Sequence, residues 1–258
     1  MDDYVSFNAQ AWDYEASKGN IWTDGCTVEQ VEKARKGELD IILSPCKRVP
    51  HAWIADTKGK KVLALACGGG QQGVLLSAFG ADVTVFDISP KQIEQDARIA
   101  EREHLKLEAI QGDMRDLSMF ADESFDFIFN PTSTCFIEDV HLVYRQCHRI
   151  LKPNGMFLTS AINPALYLFD EKKVIKNKMR VKYTIPFSDT KSLSEKELQK
   201  RLKKHDTVEF SHTLDDLIGG LCRSGFSIVD FYSDSSGFVL MDSFVHDCYL
   251  SMRAKKNE

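Results

Sequence analysis

The sequence lacks the features that mark a secreted or membrane-spanning protein. Its seven cysteines form no C-x-x-C pair and their number is odd, so we expect free thiols in a reducing compartment. No window approaches the roughly 20 apolar residues that a bilayer-spanning helix needs. The N-terminal stretch MDDYVSFNAQ is acidic and has no apolar signal core. These absences predict a cytoplasmic protein without a membrane partner.

An excess of positive charge is also lacking. The net charge is −5 and the isoelectric point is about 5.8, which gives no electrostatic basis for a nucleic-acid partner. The seven histidines are scattered and show no close ligand set, so we predict no metal site. Internal repeats and low-complexity tracts are missing as well. What remains is an ordinary globular composition, 43% apolar and 28% charged, in a chain of 258 residues.

The most informative stretch that is present is KVLALACGGGQQG at residues 61–73. A short apolar run of buried-strand type breaks into three consecutive glycines, and a helix can start at Gln71. Glycine lets a ligand approach the backbone closely, and a helix N-terminus offers free N–H groups. A second apolar run ends in Asp87, seventeen residues after Gly70, where a carboxylate can hold ribose hydroxyls. This pattern predicts a nucleotide site at the edge of a parallel sheet.

From Lys61 onward, predicted strands alternate with predicted helices, which implies a parallel sheet with right-handed crossovers. The predicted strands are 62–66, 82–87, 107–111, 125–130, 156–161, 226–232 and 245–253. The predicted helices are 71–79, one capped by Ser89, 139–151 and 214–224. Residues 1–60 carry all three tryptophans and a Thr27/Gln30 capping box, and we interpret them as a cap over the domain at 61–258. Residues 164–210, which contain Lys-rich stretches, interrupt the alternation. They form either a solvated insertion or a lid over the site.

Five pieces of sequence then occur in one order: VLALACGGG, VFDIS, QGDMRD, FDFIFNP and LKPNG. In this order they resemble the class I S-adenosylmethionine-dependent methyltransferases, over about residues 61–162. The likeness is greatest to the small-molecule methyltransferases of that class. It implies a Rossmann-like sheet of seven mostly parallel strands, with the last strand antiparallel and helices on both faces. It also implies S-adenosylmethionine as cofactor and a small molecule as methyl acceptor.

The resemblance places cofactor contacts on particular residues. The backbone of Ala66, Cys67, Gly68 and Gly70 would pass beside the methionine part of the cofactor, which Asn130 would also face through its carbonyl. The ribose and adenine contacts it implies are Asp87 for both ribose hydroxyls, Ile88 against the adenine, Asp113 for the adenine amino group, and the Met114 backbone at the ring edge.

This chain departs from the family pattern at two positions. The family usually has an acidic residue where this chain has Ala64 and a glycine where it has Ala66. Ala64 removes a carboxylate that often supports the amino group of the cofactor, and Ala66 narrows the turn. Gln71 and Gln72 are unusual polar residues at the helix start. They either supply polar contacts to the cofactor, which is our interpretation for Gln72, or face water.

The candidate substrate residues are Trp22, Ser133, Thr134 and Asn163. Trp22 either forms an aromatic wall of the site or anchors the cap to the core. Ser133 and Thr134 follow the fourth strand, where the family places a loop between cofactor and substrate. Ordinary loop polarity also explains them, and a turn signal explains Asn163 equally well. The pattern identifies no catalytic residue and does not choose between a monomer and a homodimer.

Two other classes of protein share parts of this pattern. The residues Gly68 to Gly73 match G-x-G-x-x-G, which is also typical of NAD-dependent oxidoreductases. The order of GDM and LKPNG favours the methyltransferases over that class. A non-catalytic module that retains the cofactor fold is the second alternative, kept open by Ala64 and Ala66.

Overall fold

Seven β-strands form one sheet in the computed structural model, which describes residues 3–257. The strands are β1 (Lys61–Leu65), β2 (Asp82–Asp87), β3 (Leu107–Gln111), β4 (Phe125–Asn130), β5 (Leu151–Ile162), β6 (Phe226–Asp234) and β7 (Tyr249–Lys256). Their order is β3-β2-β1-β4-β5-β7-β6; the first five strands pair in parallel, and β7 is antiparallel to both β5 and β6. The predicted sheet is confirmed.

The connections reverse direction between β1 and β4. The chain leaves β1 towards β2 and β3 on one side, and continues through β4 and β5 on the other side. In open α/β sheets, ligands bind outside the carboxyl ends of the strands at such a switch point. The topology therefore places a site just beyond the ends of β1 and β4.

Helices flank the sheet and follow the predicted capping signals. They are α1 (Tyr4–Lys18), α2 (Val28–Arg35), α3 (His51–Ile54), α4 (Gln72–Phe79), α5 (Pro90–Arg102), α6 (Val140–Ile150), α7 (Glu171–Val174), α8 (Asp189–Ser192), α9 (Glu195–Leu202), α10 (Gly220–Arg223) and α11 (Val239–Asp242). Thr27 and Gln30 form the predicted capping box of α2, and the Ser89 hydroxyl accepts from the Gln92 amide at the start of α5. No helix within residues 3–257 is both long and apolar enough to cross a membrane.

The two faces of the sheet bury different side chains of the same strand. Val62 joins an apolar cluster with Val74 of α4, whereas its neighbour Leu63 joins a second cluster with Val143 of α6. Both faces of β1 are buried, which explains why the strand is a continuous apolar run and not an alternating one. The packed core thus holds the end of β1, and the glycine turn after it, in place.

The largest differences from the predicted boundaries concern three elements. β5 starts at Leu151, directly after α6, and the KPNG residues loop out between two paired stretches of the strand. The predicted helix 214–224 is a π-helical turn, Asp215–Gly219, followed by α10. β7 begins at Tyr249 and not at residue 245, because the Val245 amide still bonds back to the Met241 carbonyl and continues the turn after α11.

Candidate active site

A cavity of about 350 Å³ opens beyond the carboxyl ends of β1, β2, β3 and β4. One wall comes from the glycine turn and the ends of β2 and β3. The opposite wall comes from α1, the 42–45 loop, the loop after β4, and single residues of distant segments. The predicted residues that line it are Trp22, Ala66, Cys67, Gly68, Gln72, Asp87, Ile88, Asp113, Met114 and Ser133.

The glycine turn bends sharply as it leaves β1. Ala66 has a φ of 49° and Gly69 a φ of 104°, both in the left-handed region that favours glycine. The Ala66 amide is held by the Phe86 carbonyl of β2 at 2.7 Å. Burial raises the pKa of the Cys67 thiol well above its usual range, so the thiol stays protonated and packs as an apolar residue. The glycine turn therefore lines the cavity with backbone groups, and its one thiol is not an ionised nucleophile.

Asp87 lies at the end of β2 with its carboxylate against the glycine turn. One carboxylate oxygen accepts from the Gly68 amide at 3.0 Å and the other from the Ser89 amide at 2.9 Å. Burial raises the pKa of Asp87, and these backbone hydrogen bonds oppose that rise. Each oxygen keeps a second lone pair. Asp87 can therefore accept two further hydrogen bonds from hydroxyl groups in the cavity.

Asp113 and Met114 line the cavity beyond the end of β3, next to Ile88. The Asp113 carboxylate is already held by Arg115, which donates from its amide at 2.9 Å, Nε at 2.8 Å and Nη2 at 2.6 Å. Arg115 fixes the orientation of this carboxylate and neutralises its charge. A ligand amino group would have to share the acceptor with that guanidinium.

A buried carboxylate that sequence reasoning missed lies beneath the turn. Asp96 of α5 accepts from the Gly69 amide at 2.8 Å, and burial raises its pKa to about 8. Gly73 lies between Asp96 and Ala64. A Cβ atom built on Gly73 would be 3.5 Å from the Cβ of Ala64 and 3.8 Å from Oδ1 of Asp96. Asp96 therefore places a carboxyl group close to the position where Ala64 has none. The only sequence signal was an acid four residues after Gln92, on the buried face of α5.

Glutamines hold the Trp22 loop over the glycine turn. Gln71 donates from Nε2 to the Ile21 carbonyl at 2.8 Å and to the Asp24 carbonyl at 2.6 Å. Gln95 of α5 donates to the Gly69 carbonyl at 2.7 Å and also to the Thr23 carbonyl. Gln71 and Gln72 both line the cavity, and the side chain of Gln71 also bonds to the N-terminal segment.

Four predicted site residues do not line the cavity, namely Gly70, Asn130, Thr134 and Asn163. A Cβ at Gly70 would lie 2.3 Å from Ile99, which indicates close packing on α5. The Thr134 carbonyl faces His212 at 3.0 Å, and Asn163 caps the turn that follows β5. Any binding role for these four stays a prediction.

Asn130 ties three strand ends together. Its Nδ2 donates to the Leu65 carbonyl at 2.9 Å and to the Ser133 hydroxyl at 2.7 Å, and its Oδ1 accepts from the Thr159 hydroxyl at 3.0 Å. The side chain is fully buried. It fixes the switch point beneath the cavity and orients Ser133, which does line it.

Glu209 is the second carboxylate that sequence reasoning missed. It lines the cavity from within the 164–210 segment and accepts from the Tyr167 hydroxyl at 2.8 Å. Burial raises its pKa to about 7, and the nearby Arg201 opposes the rise. About 26% of its side-chain surface is accessible, which fits a group that faces the cavity. The sequence carried no motif here. The only signal was the alternation of apolar and charged residues in Val208-Glu209-Phe210, where the two apolar side chains are buried and Glu209 points to the other side.

α1 covers the cavity with one face, which carries Val5, Asn8 and Trp12. Asn8 exchanges two hydrogen bonds with the backbone of Val208, donating to its carbonyl at 3.0 Å and accepting from its amide at 2.8 Å. The Asp13 carboxylate accepts from the Ser89 hydroxyl at 2.6 Å. α1 is therefore attached both to the 164–210 segment and to the start of α5.

A doubly wound sheet with a glycine turn after β1, a carboxylate after β2 and an antiparallel β7 between β5 and β6 is the Rossmann-like fold of the class I methyltransferases. The methyltransferase-domain family matches residues 63–159. The uncharacterized methyltransferase YbaJ of Bacillus subtilis is 42% identical over 256 residues, covering 99% of this chain and all of YbaJ. The chain belongs to this S-adenosylmethionine-dependent methyltransferase family, and the predicted family is confirmed.

Solved structures with low sequence identity share the fold. A methyltransferase from Mesorhizobium loti has a TM-score of 0.59 at 20% identity, with 80% of this chain and 94% of that chain covered. The 1,6-didemethyltoxoflavin-N1-methyltransferase of Burkholderia thailandensis has a TM-score of 0.60 at 17% identity, with 100% and 90% covered. These structures share the fold; the family match and the likeness to YbaJ identify the protein as an enzyme of the methyltransferase class that uses S-adenosylmethionine, and not as an NAD-dependent oxidoreductase.

Proposed function

We propose that the protein transfers a methyl group from S-adenosylmethionine to a small-molecule acceptor bound in the 350 Å³ cavity. The observation that carries this proposal is the division of the cavity into two sides. The cofactor side comprises Ala66, Cys67, Gly68, Gln72, Asp87, Ile88, Asp113 and Met114. The acceptor side comprises Asn8, Trp12, Pro131, Ser133, Phe136, Ile162, Glu209 and Tyr249.

The cofactor side fits the polar groups of S-adenosylmethionine. Asp87 has two acceptor lone pairs free for ribose hydroxyls, Ile88 offers an apolar surface for the adenine, and Asp113 a fixed acceptor for its amino group. Gly68 lines the cavity where the methionine part would lie. When bound, the cofactor supplies a methyl group already activated by a sulfonium. The enzyme then mainly aligns the acceptor and excludes water.

The acceptor side favours a small, largely apolar molecule. Trp12, Pro131, Phe136 and Ile162 form most of this wall, and α1 lies across it. None of the described residues that line the cavity is Lys, Arg or His, so the wall offers no cation to a phosphate backbone. The Burkholderia thailandensis relative, whose structure holds the small molecule 1,6-didemethyltoxoflavin with S-adenosylhomocysteine, supports an acceptor of that size.

We further propose that residues 1–60 form a cap, and that residues 164–210 form a lid, over the domain at 61–258. The hydrogen bonds between Asn8 and Val208 join these two segments above the cavity. Opening of this contact or of the Trp22 loop would widen the entrance for an acceptor. Closure then shields the reacting groups from water.

Radioactive methyl transfer tests the proposal. We would incubate the enzyme with methyl-labelled S-adenosylmethionine and a cell extract separated by ultrafiltration into small-molecule and macromolecular fractions. Label should enter the small-molecule fraction, and an Asp87→Ala variant should transfer much less. Label in protein or nucleic acid, with none in small molecules, would contradict the proposed acceptor class.

A further inference from the structure

We infer that the methyl acceptor is an apolar amine that binds in its protonated, ammonium form, and that Glu209 is the residue that pairs with it. This inference rests on the proposed small-molecule methyl transfer and names the class of acceptor. It is drawn from the charges around Glu209, from the composition of the acceptor side, and from the proton that an ammonium group must lose before it can react.

The first observation is an excess of carboxylates around one guanidinium. Arg201 lies 3.6 Å from Glu209, 3.3 Å from the buried Asp189 and 3.2 Å from Glu171. One positive charge therefore serves three carboxylates. Tyr167 donates a hydrogen bond to Glu209 but carries no charge. An ionised Glu209 lacks a full counterion within the protein.

The other groups that face Glu209 do not supply a positive charge. Burial raises the pKa of the Cys135 thiol and of the Tyr249 phenol above their usual ranges, and the nearby Glu209 adds to both effects. Both groups thus stay neutral at physiological pH. A cationic ligand in the cavity would supply the counterion that the ionised form of Glu209 lacks among the lining residues.

The walls of the cavity lead to the same conclusion. The charged residues that line it, Asp87, Asp113 and Glu209, are all acidic, and the rest of the acceptor side is mostly apolar. A phenolate, thiolate or carboxylate nucleophile would lie near this negative charge with no cationic side chain among the lining residues, which is costly in a buried site. An ammonium group would instead pair with Glu209, whose only nearby cation among the described residues, Arg201, also serves Asp189 and Glu171.

Glu209 is also suited to take the proton that the ammonium must lose. Burial raises the pKa of Glu209 to about 7, so it exchanges a proton near neutral pH. A carboxylate oxygen of Glu209 accepts the proton: an N–H bond breaks, an O–H bond forms, and the electron pair stays on nitrogen. The neutral amine is then the nucleophile, and no anion forms next to the carboxylates.

Calorimetry with matched probes tests this inference on the native chain loaded with S-adenosylhomocysteine. The probes are linear alkylammonium ions, the alcohols and the carboxylates of equal chain length, over a series of lengths. At the best length the ammonium should bind at least about tenfold more tightly than the alcohol, or about 1.4 kcal/mol. The carboxylate should bind most weakly. Equal binding of alcohol and ammonium, or no ammonium binding at any length, would overturn the inference.

A variant separates Glu209 from the other acids of the cavity. Glu209→Gln should abolish the preference for ammonium and leave the affinity for S-adenosylhomocysteine unchanged. Glu195→Gln, at an exposed carboxylate of α9 away from the cavity, should keep the preference and serves as the control. If Glu209→Gln keeps the preference, Glu209 is not the partner. Failure of the native protein to bind S-adenosylhomocysteine would instead count against the proposed function.

Proton release gives a second measurement that needs no variant. At pH 7, where Glu209 is about half protonated, ammonium binding should release about half a proton, and at pH 9 almost none. Titration calorimetry in buffers of different ionisation enthalpy measures this quantity. Ammonium binding without proton release at pH 7 would overturn the assignment to Glu209.

Discussion

The cofactor side and the acceptor side of the cavity are built in opposite ways. On the cofactor side, Gly68 and Asp87 are 19 residues apart and Gly69 and Asp96 are 27 apart, so local βα units create the contacts. On the acceptor side, Asn8 bonds to Val208 across 200 residues. The cofactor side is therefore built from neighbouring segments of sequence, whereas the acceptor side forms only when distant segments meet in the folded protein.

The two sides also differ in how their polar groups are satisfied. The carboxylates of the cofactor side each accept from backbone amides or from Arg115 and are fixed before any ligand binds. Glu209 has only a tyrosine hydroxyl and a shared, more distant guanidinium. We therefore expect changes on the cofactor side to affect cofactor affinity, and changes on the acceptor side to affect cap closure and acceptor choice.

The largest expected effect concerns Asp96 and pH. Its pKa is about 8 in the folded protein and 3.8 in the unfolded reference, so its contribution to stability is fully present below pH 3.8 and is lost as pH rises towards 8. Asp96→Asn should remove this dependence, which we expect to be about 1 kcal/mol per pH unit, or about 3 kcal/mol between pH 5 and 8. Denaturant unfolding across this range measures the difference in slope.

An exposed carboxylate on the same helix supplies the control for Asp96. Glu94→Gln removes a charge from α5 without touching the glycine turn, and should leave the pH slope as in the native protein. Parallel slopes for the native protein and Asp96→Asn would show that Asp96 does not titrate as a buried group.

The next largest effect tests the cofactor side directly. Asp87→Ala should weaken S-adenosylhomocysteine binding by about 1.5–3 kcal/mol, the scale of hydrogen bonds to a charged group. Titration calorimetry measures the change. Asp82→Ala, at the exposed start of the same strand, should bind as the native protein does. An unchanged affinity for Asp87→Ala would remove the ribose assignment.

Asn8→Ala tests the acceptor side with a somewhat smaller effect. The change leaves the buried Val208 amide and carbonyl without their partner, which should lower the free energy of unfolding by about 1–2 kcal/mol. Hydrogen exchange of Val208 should rise more than that of β1, while S-adenosylhomocysteine affinity changes little. Gln10→Ala, at an exposed position of α1, is the matched control. Equal loss of protection in β1 would show that the two sides unfold together.

The smallest effect concerns the residue where this chain departs from its family. Ala66 holds a positive φ that costs less for glycine, so Ala66→Gly should raise the free energy of unfolding by about 0.5–1 kcal/mol. Cys67, one residue on, has no such strain in the structure, so Cys67→Gly should not stabilise the protein. Thermal unfolding compares the two variants, and a destabilised Ala66→Gly would argue that the buried methyl group outweighs the strain.

Prediction from sequence succeeded where residues close in the chain decide the structure. The Thr27 capping box, the end of α4 at Gly80 and the strand before Asp87 were predicted, because each depends on neighbours within a turn or a strand. The start of β7 was wrong by four residues. The turn after α11 extends through Val245, and pairing with β5 begins only at Tyr249, opposite Ile162.

The sequence by itself determined the sheet, its glycine turn and the class of enzyme. Alternating βα units and five ordered motifs depend on residues close together in the chain, so they can be recognised without the tertiary structure. Only the tertiary structure decided that Glu209 lines the cavity and that Asp96 is buried beneath the glycine turn. Asp96 and Glu209 carry no motif, and their raised pKa values come from burial among elements distant in the chain. Desolvation depends on what surrounds a group in space, and the order of residues does not record it.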